Sequence, residues 1–199
     1  MLITTAASAD TNESSDDFSI RLGGGYADLN DLGEIVRGDF NISKSNSVIY
    51  LDFGYRFAED TWDLPLDWYA KGGISYFNEN GYQANFIDVT LYIKVYWKID
   101  FWQNRVRVGF GEGLSLAQRI PEVETIDARN LDGTVDPTAK FLNYLDISLD
   151  FDLGRLVRVE DLEDFYIGYT IKHRSGIFGT FNGTHGGSNY SMLTFEKNF

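Results

Sequence analysis

His173 and Ser175 stand two residues apart at the end of a run that alternates apolar and polar side chains, Phe165 to Ser175. Imidazole is the usual general base near neutral pH, and a serine hydroxyl becomes a nucleophile when such a base takes its proton. In an extended strand, residues i and i+2 face the same way. His173 and Ser175 therefore share the greasy face of Phe165, Ile167, Tyr169 and Ile171. The strand rise sets their Cβ atoms about 7 Å apart, so contact requires a bend at the strand end. The chemistry such a pair suits is attack on an ester carbonyl. The following segment carries Gly176, Gly179, Gly183, Gly186 and Gly187, whose backbone N–H groups could face an oxyanion.

The rest of the chain indicates what would hold this pair. At 199 residues it has the length of one domain. A net charge of -13 argues against nucleic acid. The absence of cysteine removes disulfides and Cys-ligated metal, and nothing points to a metal or a cofactor. No stretch approaches the roughly 18 consecutive apolar residues of a membrane helix. Yet 16% of the residues are aromatic and 20 are glycine, which suits many strands. A β-barrel escapes hydropathy scans because only every second residue meets lipid.

Eight segments alternate with period two: Phe18–Ala27, Val48–Phe57, Leu66–Phe77, Phe86–Phe101, Arg105–Leu116, Phe141–Leu153, Phe165–Ser175 and Tyr190–Phe199. The clearest is Phe86–Phe101, with eight apolar positions from Ile87 to Phe101 opposite Asp88, Lys94, Lys98 and Asp100. A helical period fits it poorly. The expected connections are 28–46, 78–83, 117–139 and 176–189 at one end, and 58–65, 102–104 and 154–163 at the other. Pro65, Pro121 and Pro137 all fall in these connections, where a missing N–H harms no ladder.

A soluble sandwich or lipocalin-like barrel would show the same alternation with the apolar face inward. Three features favour the inverted arrangement. The chain ends on Phe199 with Phe195 and Leu193 in phase, the pattern of outer-membrane barrels, although Lys197 departs from it. Met1–Ala9 reads as a secretory-signal remnant with Ala7-Ser8-Ala9 as a cleavage pattern, followed by a polar lead-in over 10–17. The polar faces also mix opposite charges, with Arg105 and Arg107 on one strand and Asp146 and Asp150 on its expected neighbour, a set that suits a satisfied interior network. The expected fold is all-β: an eight-stranded, antiparallel, up-and-down transmembrane barrel over 18–199, its polar interior filled by side chains. In that frame His173 and Ser175 point outward at the extracellular end of the seventh strand.

At the last hairpin, from Tyr169-Thr-Ile-Lys-His173-Arg-Ser175-Gly through Gly186-Gly-Ser-Asn-Tyr190 to Phe199, the sequence resembles the PagL-type lipid A 3-O-deacylases. These are eight-stranded outer-membrane barrels with a His-x-Ser motif near the chain end. The resemblance implies removal of the ester-linked 3-acyl chain of lipid A, with His173 as base, Ser175 as nucleophile and the lipopolysaccharide of the bacterial outer leaflet as partner. The chain departs from the family in two places. Gly176 follows the serine where the family tends to carry asparagine, and no Asp or Glu lies between Ser175 and Glu196 to serve as third triad member. Asn182 remains as an oxyanion contact, and Asn189 has the parity to orient His173. Asparagine can hold a tautomer but stabilises imidazolium less than a carboxylate.

Other charged positions have simpler expectations. Lys172 and Arg174 face the lumen and should pair with its acids. Glu112 has apolar-face parity and is expected above the hydrocarbon or at a register break. The acids of 117–139 suit a solvated loop better than a loose Ca²⁺ site. Two functions follow: a lipid A ester hydrolase, or a non-catalytic outer-membrane barrel with a structural or partner-binding role.

Overall fold

The computed structural model describes residues 17–128, 134–177, 179–181, 183–184 and 186–199. Its strands are β1 (Phe18–Asp28), β2 (Ile42–Ala58), β3 (Leu66–Asn78), β4 (Phe86–Phe101), β5 (Asn104–Ala117), β6 (Phe141–Asp152), β7 (Phe165–Ser175) and β8 (Gly187–Asn198). Each pairs antiparallel with the next and β8 closes onto β1, a closed eight-stranded barrel. Closure leaves no free sheet edge. The leader and most of the lead-in expected at the N-terminus lie outside the described residues.

Strand bounds follow the alternation closely for β4 and β7, and differ most at β2, which starts at Ile42 rather than Val48. There β1 and β2 pair across a register shift between Tyr26 and Ala27 that lets the pairing run on to Asp28 and Ile42. Short helices interrupt the connections: α1 (Leu32–Val36) and α2 (Glu122–Asp127) at one end, and α3 (Leu153–Val157) at the other. The first is the loop end, the second the turn end.

The apolar face points outward. Leu22, Ile49, Phe53, Val89, Leu91, Trp97, Phe110, Leu116 and Leu193 are all exposed. The polar face is inside and buried, with Arg21, Asp52, Lys71, Asp88, Lys94, Arg107, Asp146, Asp150, Lys172 and Glu196 in the lumen. Burying so many charges is tolerable only when each has partners. Arg21 bridges Asp52 at 2.9 Å and Asp146 at 2.5 Å. Lys71 bridges Asp52 at 3.2 Å and Glu196 at 2.9 Å, and Lys94 reaches Asp146 at 2.5 Å. Tyr50, Tyr92 and Tyr96 donate into the same carboxylates. The interior is filled by side chains, as an eight-stranded barrel's should be.

The expected interior network includes Arg107, Asp146 and Asp150 but not Arg105. Arg107 does reach Asp150, at 3.5 Å, but Arg105 sits at the turn end and binds Asp100 at 2.8 Å, while Asp146 belongs to Arg21 and Lys94. Arg105 is directly opposite Asp100 in the β4–β5 register, and the nearer carboxylate wins. Lys172 and Arg174 do face lumen acids: Lys172 meets Asp88 at 2.9 Å and Arg174 meets Glu124 at 2.7 Å.

Helix α2 caps the loop end. Its Val123 packs with Ala27, Val48, Phe77, Tyr190 and Met192 where the strands emerge. Pro121 precedes the helix, where a missing N–H costs nothing, and Glu122 and Glu124 in the first turn suit the helix dipole. The 117–139 acids are therefore not a uniformly solvated set. Glu122 accepts from Asn46 Nδ2 at 3.0 Å, Glu124 is buried against Arg174 and Ser188, and Asp127 accepts from Gly187 N at 3.0 Å.

Candidate functional site

At the loop end the outward face of the barrel turns polar. The register places Glu112 (β5) opposite Leu145 (β6), Leu145 opposite His173 (β7), His173 opposite Asn189 (β8), and Asn189 opposite Asp28 (β1). Beside this row, Asn143 stands directly across from Ser175. These residues line a cavity of about 600 Å³ that α1, α2 and the segment around Gly186 wall in, with Leu29, Leu32, Ile126 and Ile177 as its apolar sides. His173 and Ser175 both line it and are half-buried.

Asn189 lies 2.7 Å from His173 Nδ1 through its Oδ1, and its Nδ2 donates to the Asn30 carbonyl at 2.9 Å. The Asn30 oxygen can only accept, so the amide edge facing it must be the NH₂ group. The edge facing His173 is then the carbonyl. His173 must therefore carry its proton on Nδ1 and donate it to Asn189, which leaves Nε2 with a free lone pair. That is the tautomer a general base needs.

The pair itself is not joined. Among the described residues, no hydrogen bond involves the Ser175 side chain, and His173 and Ser175 meet only as walls of one cavity. The Gly176 N–H donates to the Gly186 carbonyl at 3.3 Å, so an oxyanion role for it requires that bond to open. Gly176 also has no room for a side chain, since an added Cβ would collide with the Thr184 carbonyl. Any residue with a Cβ at this position would require the loop path to shift. Asn182 lies outside the described residues.

The loop-end helix steadies the strand ends from the lumen side. Arg174, between His173 and Ser175, donates to Glu124 Oε1 at 2.7 Å, and Ser188, next to Asn189, donates to the same oxygen at 2.7 Å. Burial pushes the Glu124 carboxyl up to about 7, with the Arg174 guanidinium and the Ser188 hydroxyl pulling the other way.

Asn143 and Glu112 also line the cavity, and the sequence alone does not mark them as site residues. Asn143 is 1% exposed, lies on the outward-facing parity of β6, and donates through Nδ2 to Glu112 Oε1 at 2.5 Å. Glu112 sits in continuous register, without the break its parity suggested. The available signal was two polar residues at outward parity in adjacent strands. Their juxtaposition depends on register, which alternation does not specify.

The fold and this rim define the class as an eight-stranded barrel of outer-membrane type. Among solved structures, the outer membrane enzyme PagL matches with a TM-score of 0.58 and 12% identity, over 91% of this chain and 99% of that one. Neisserial surface protein A matches with a TM-score of 0.50 and 12% identity, over 92% of this chain and 97% of that one. At such identity the likeness concerns the fold. No family model matches the sequence, and a search of curated proteins finds no match.

Proposed function

We propose that the protein is an ester hydrolase of the bacterial outer membrane, acting on an acyl ester of a lipid A-type substrate in the outer leaflet. The observation that carries this reading is His173 Nε2, left unprotonated by the Nδ1–H bond to Asn189, in an outward-facing cavity that Ser175 also lines. The exposed apolar belt presents that cavity to lipid rather than to water. A lipid would enter sideways, with its acyl chain along Ile126 and Ile177. Ser175 Oγ would attack the ester carbonyl as Nε2 takes its proton. The resulting imidazolium would return that proton to the leaving alcohol, and water would then release the acyl group. Closing the distance between Ser175 and His173 requires a side-chain rotation on lipid entry, since catalytic contacts often tighten only when the substrate binds. The similarity to the outer membrane enzyme PagL is in keeping with this reading.

A second reading is a non-catalytic barrel. It draws on the unbonded Ser175 hydroxyl and on an amide, Asn189, where a carboxylate would stabilise imidazolium. Mass spectrometry of lipid A from cells expressing the parent and Ser175→Ala separates the two. Loss of one 3-hydroxyacyl chain with the parent alone supports the hydrolase. Unaltered lipid A with the parent overturns it.

A further inference from the structure

We infer that Glu112 and Asn143 form a head-group subsite that takes the primary ammonium of an amine-bearing lipid. The inference rests on the hydrolase reading only for where the ester would lie; the head-group contact stands without turnover.

Glu112 points outward from β5, five positions inside the strand's loop end at Ala117, and it is exposed. A carboxylate on the lipid-facing side of a barrel is unfavourable unless something compensates its charge. Its partner in the protein is neutral, the Asn143 amide. The same holds around the cavity. Its lining includes four carboxylates, Asp28, Asp31, Glu112 and Asp127, and no lysine or arginine among the described residues. None of the four has a cationic partner among the described residues. By contrast, the lumen acids Asp52, Asp88, Asp146, Asp150 and Glu196 each have a lysine or arginine within 3.5 Å. Among the described residues, those lumen acids are matched by bases, whereas the acids of the cavity have only neutral donors such as Asn143 Nδ2 and the Gly187 N–H.

A second observation points to a ligand that donates. Asn143 is 1% exposed, its Nδ2 is held by Glu112, and its Oδ1 has no hydrogen-bond partner among the described residues. An unmatched buried acceptor is costly, and a donor bound at Glu112 lies next to it. The cavity thus offers acceptors from its polar side and Leu29, Leu32, Leu145 and Ile126 from its apolar side. That combination suits an amphiphile with a cationic, donor-rich head. Bare phosphates would meet four carboxylates and no base. Asn143 is directly across from Ser175, so a head group held here places the first ester linkages of the lipid beside the serine.

The test uses full-length protein refolded in neutral detergent and carrying Ser175→Ala, so that no lipid is consumed. Short-chain phosphatidylethanolamine, its N-acetylated analogue, phosphatidylglycerol and free ethanolamine are titrated and their affinities read by isothermal titration calorimetry. The expected result is binding of phosphatidylethanolamine at least about tenfold tighter than the N-acetylated lipid, as one charge-assisted hydrogen bond provides. Glu112→Gln should erase that preference and leave the N-acetylated affinity unchanged. Asn143→Leu serves as a second variant if Glu112→Gln does not fold. Equal affinities in the parent, a preference that survives both variants, or ethanolamine binding as well as its lipid would overturn the inference. So would phosphatidylglycerol binding best with Ca²⁺ and losing it to a chelator, which would make the site a cation bridge. A Ser175 protein that cleaves no ester would sink the hydrolase reading and leave this titration unaffected.

Discussion

Replacing Asn189 with alanine tests the reasoning about His173 most directly. The variant removes the acceptor 2.7 Å from His173 Nδ1 and the donor that ties β8 to the Asn30 carbonyl. Two neutral hydrogen bonds are each worth about 0.5–1.5 kcal/mol of stability, so the fold should survive. In the reaction the first bond becomes charge-assisted, because the imidazolium formed at Nε2 donates through Nδ1. The charge-assisted bond is worth about 1.5–3 kcal/mol against about 0.5–1.5 for the neutral bond already present before the proton moves, so about 1–1.5 kcal/mol belongs to the transition state alone and kcat should fall roughly 5- to 15-fold with little change in KM. A spectroscopic arm needs no activity. In a His185→Gln background, ¹⁵N NMR should show the remaining ring protonated at Nδ1 in the parent and mixed in Asn189→Ala. Asn189→Asp should keep kcat above the alanine variant, because a carboxylate holds the same tautomer, while loosening the contact with Asn30. A parent ring protonated at Nε2, or an alanine variant with unchanged kcat and tautomer, would refute the positioning of His173.

Removing Asp146 with Asp146→Ala leaves Arg21 and Lys94 short of a buried partner and should cost about 3–5 kcal/mol, read as a lower urea midpoint for loss of heat-modifiable gel migration. The Glu124 carboxyl, raised from 4.5 to about 7 by burial, binds its proton more tightly folded than unfolded. Its contribution is therefore full below about pH 4.5 and is lost as pH rises through about 7. Hydrogen-exchange protection at 122–127, corrected for the pH dependence of intrinsic exchange, should be greater at pH 5.5 than at pH 8, and Glu124→Gln should flatten that difference. Gly176→Ala drives a Cβ into the Thr184 carbonyl, an overpacking cost of about 1–3 kcal/mol; it should unsettle the loop after Ser175 and lower ester cleavage, with the barrel still folded on the gel. Leu91→Arg puts a charge on an exposed position of the apolar belt and should hinder refolding into bilayers by about 2–4 kcal/mol if it sits at mid-membrane, whereas refolding in detergent changes little.

Alternation along the chain determined the strands and the facing of their side chains. Phe86–Phe101 and Phe165–Ser175 are strands over those same residues, because a period of two is a local property written into each segment. Parity likewise placed His173, Ser175, Asn189 and Glu112 on one face, and Lys172 and Arg174 on the other. What alternation leaves open is which face is inside, since exchanging inside for outside preserves the pattern. Closure of β8 onto β1 around Arg21, Lys71, Asp146 and Glu196 decided that, through ion pairs between residues as far apart as Arg21 and Asp146. The site divides in the same way. That a base and a hydroxyl share the greasy face is legible in five consecutive residues. Three features are set by strand register and by loops folding back on the rim: the Asn189 carbonyl that fixes the His173 tautomer, the Asn143 amide across from Ser175, and the α2 helix behind Arg174. Such contacts join positions distant in sequence, and only the tertiary structure brings them within hydrogen-bonding range.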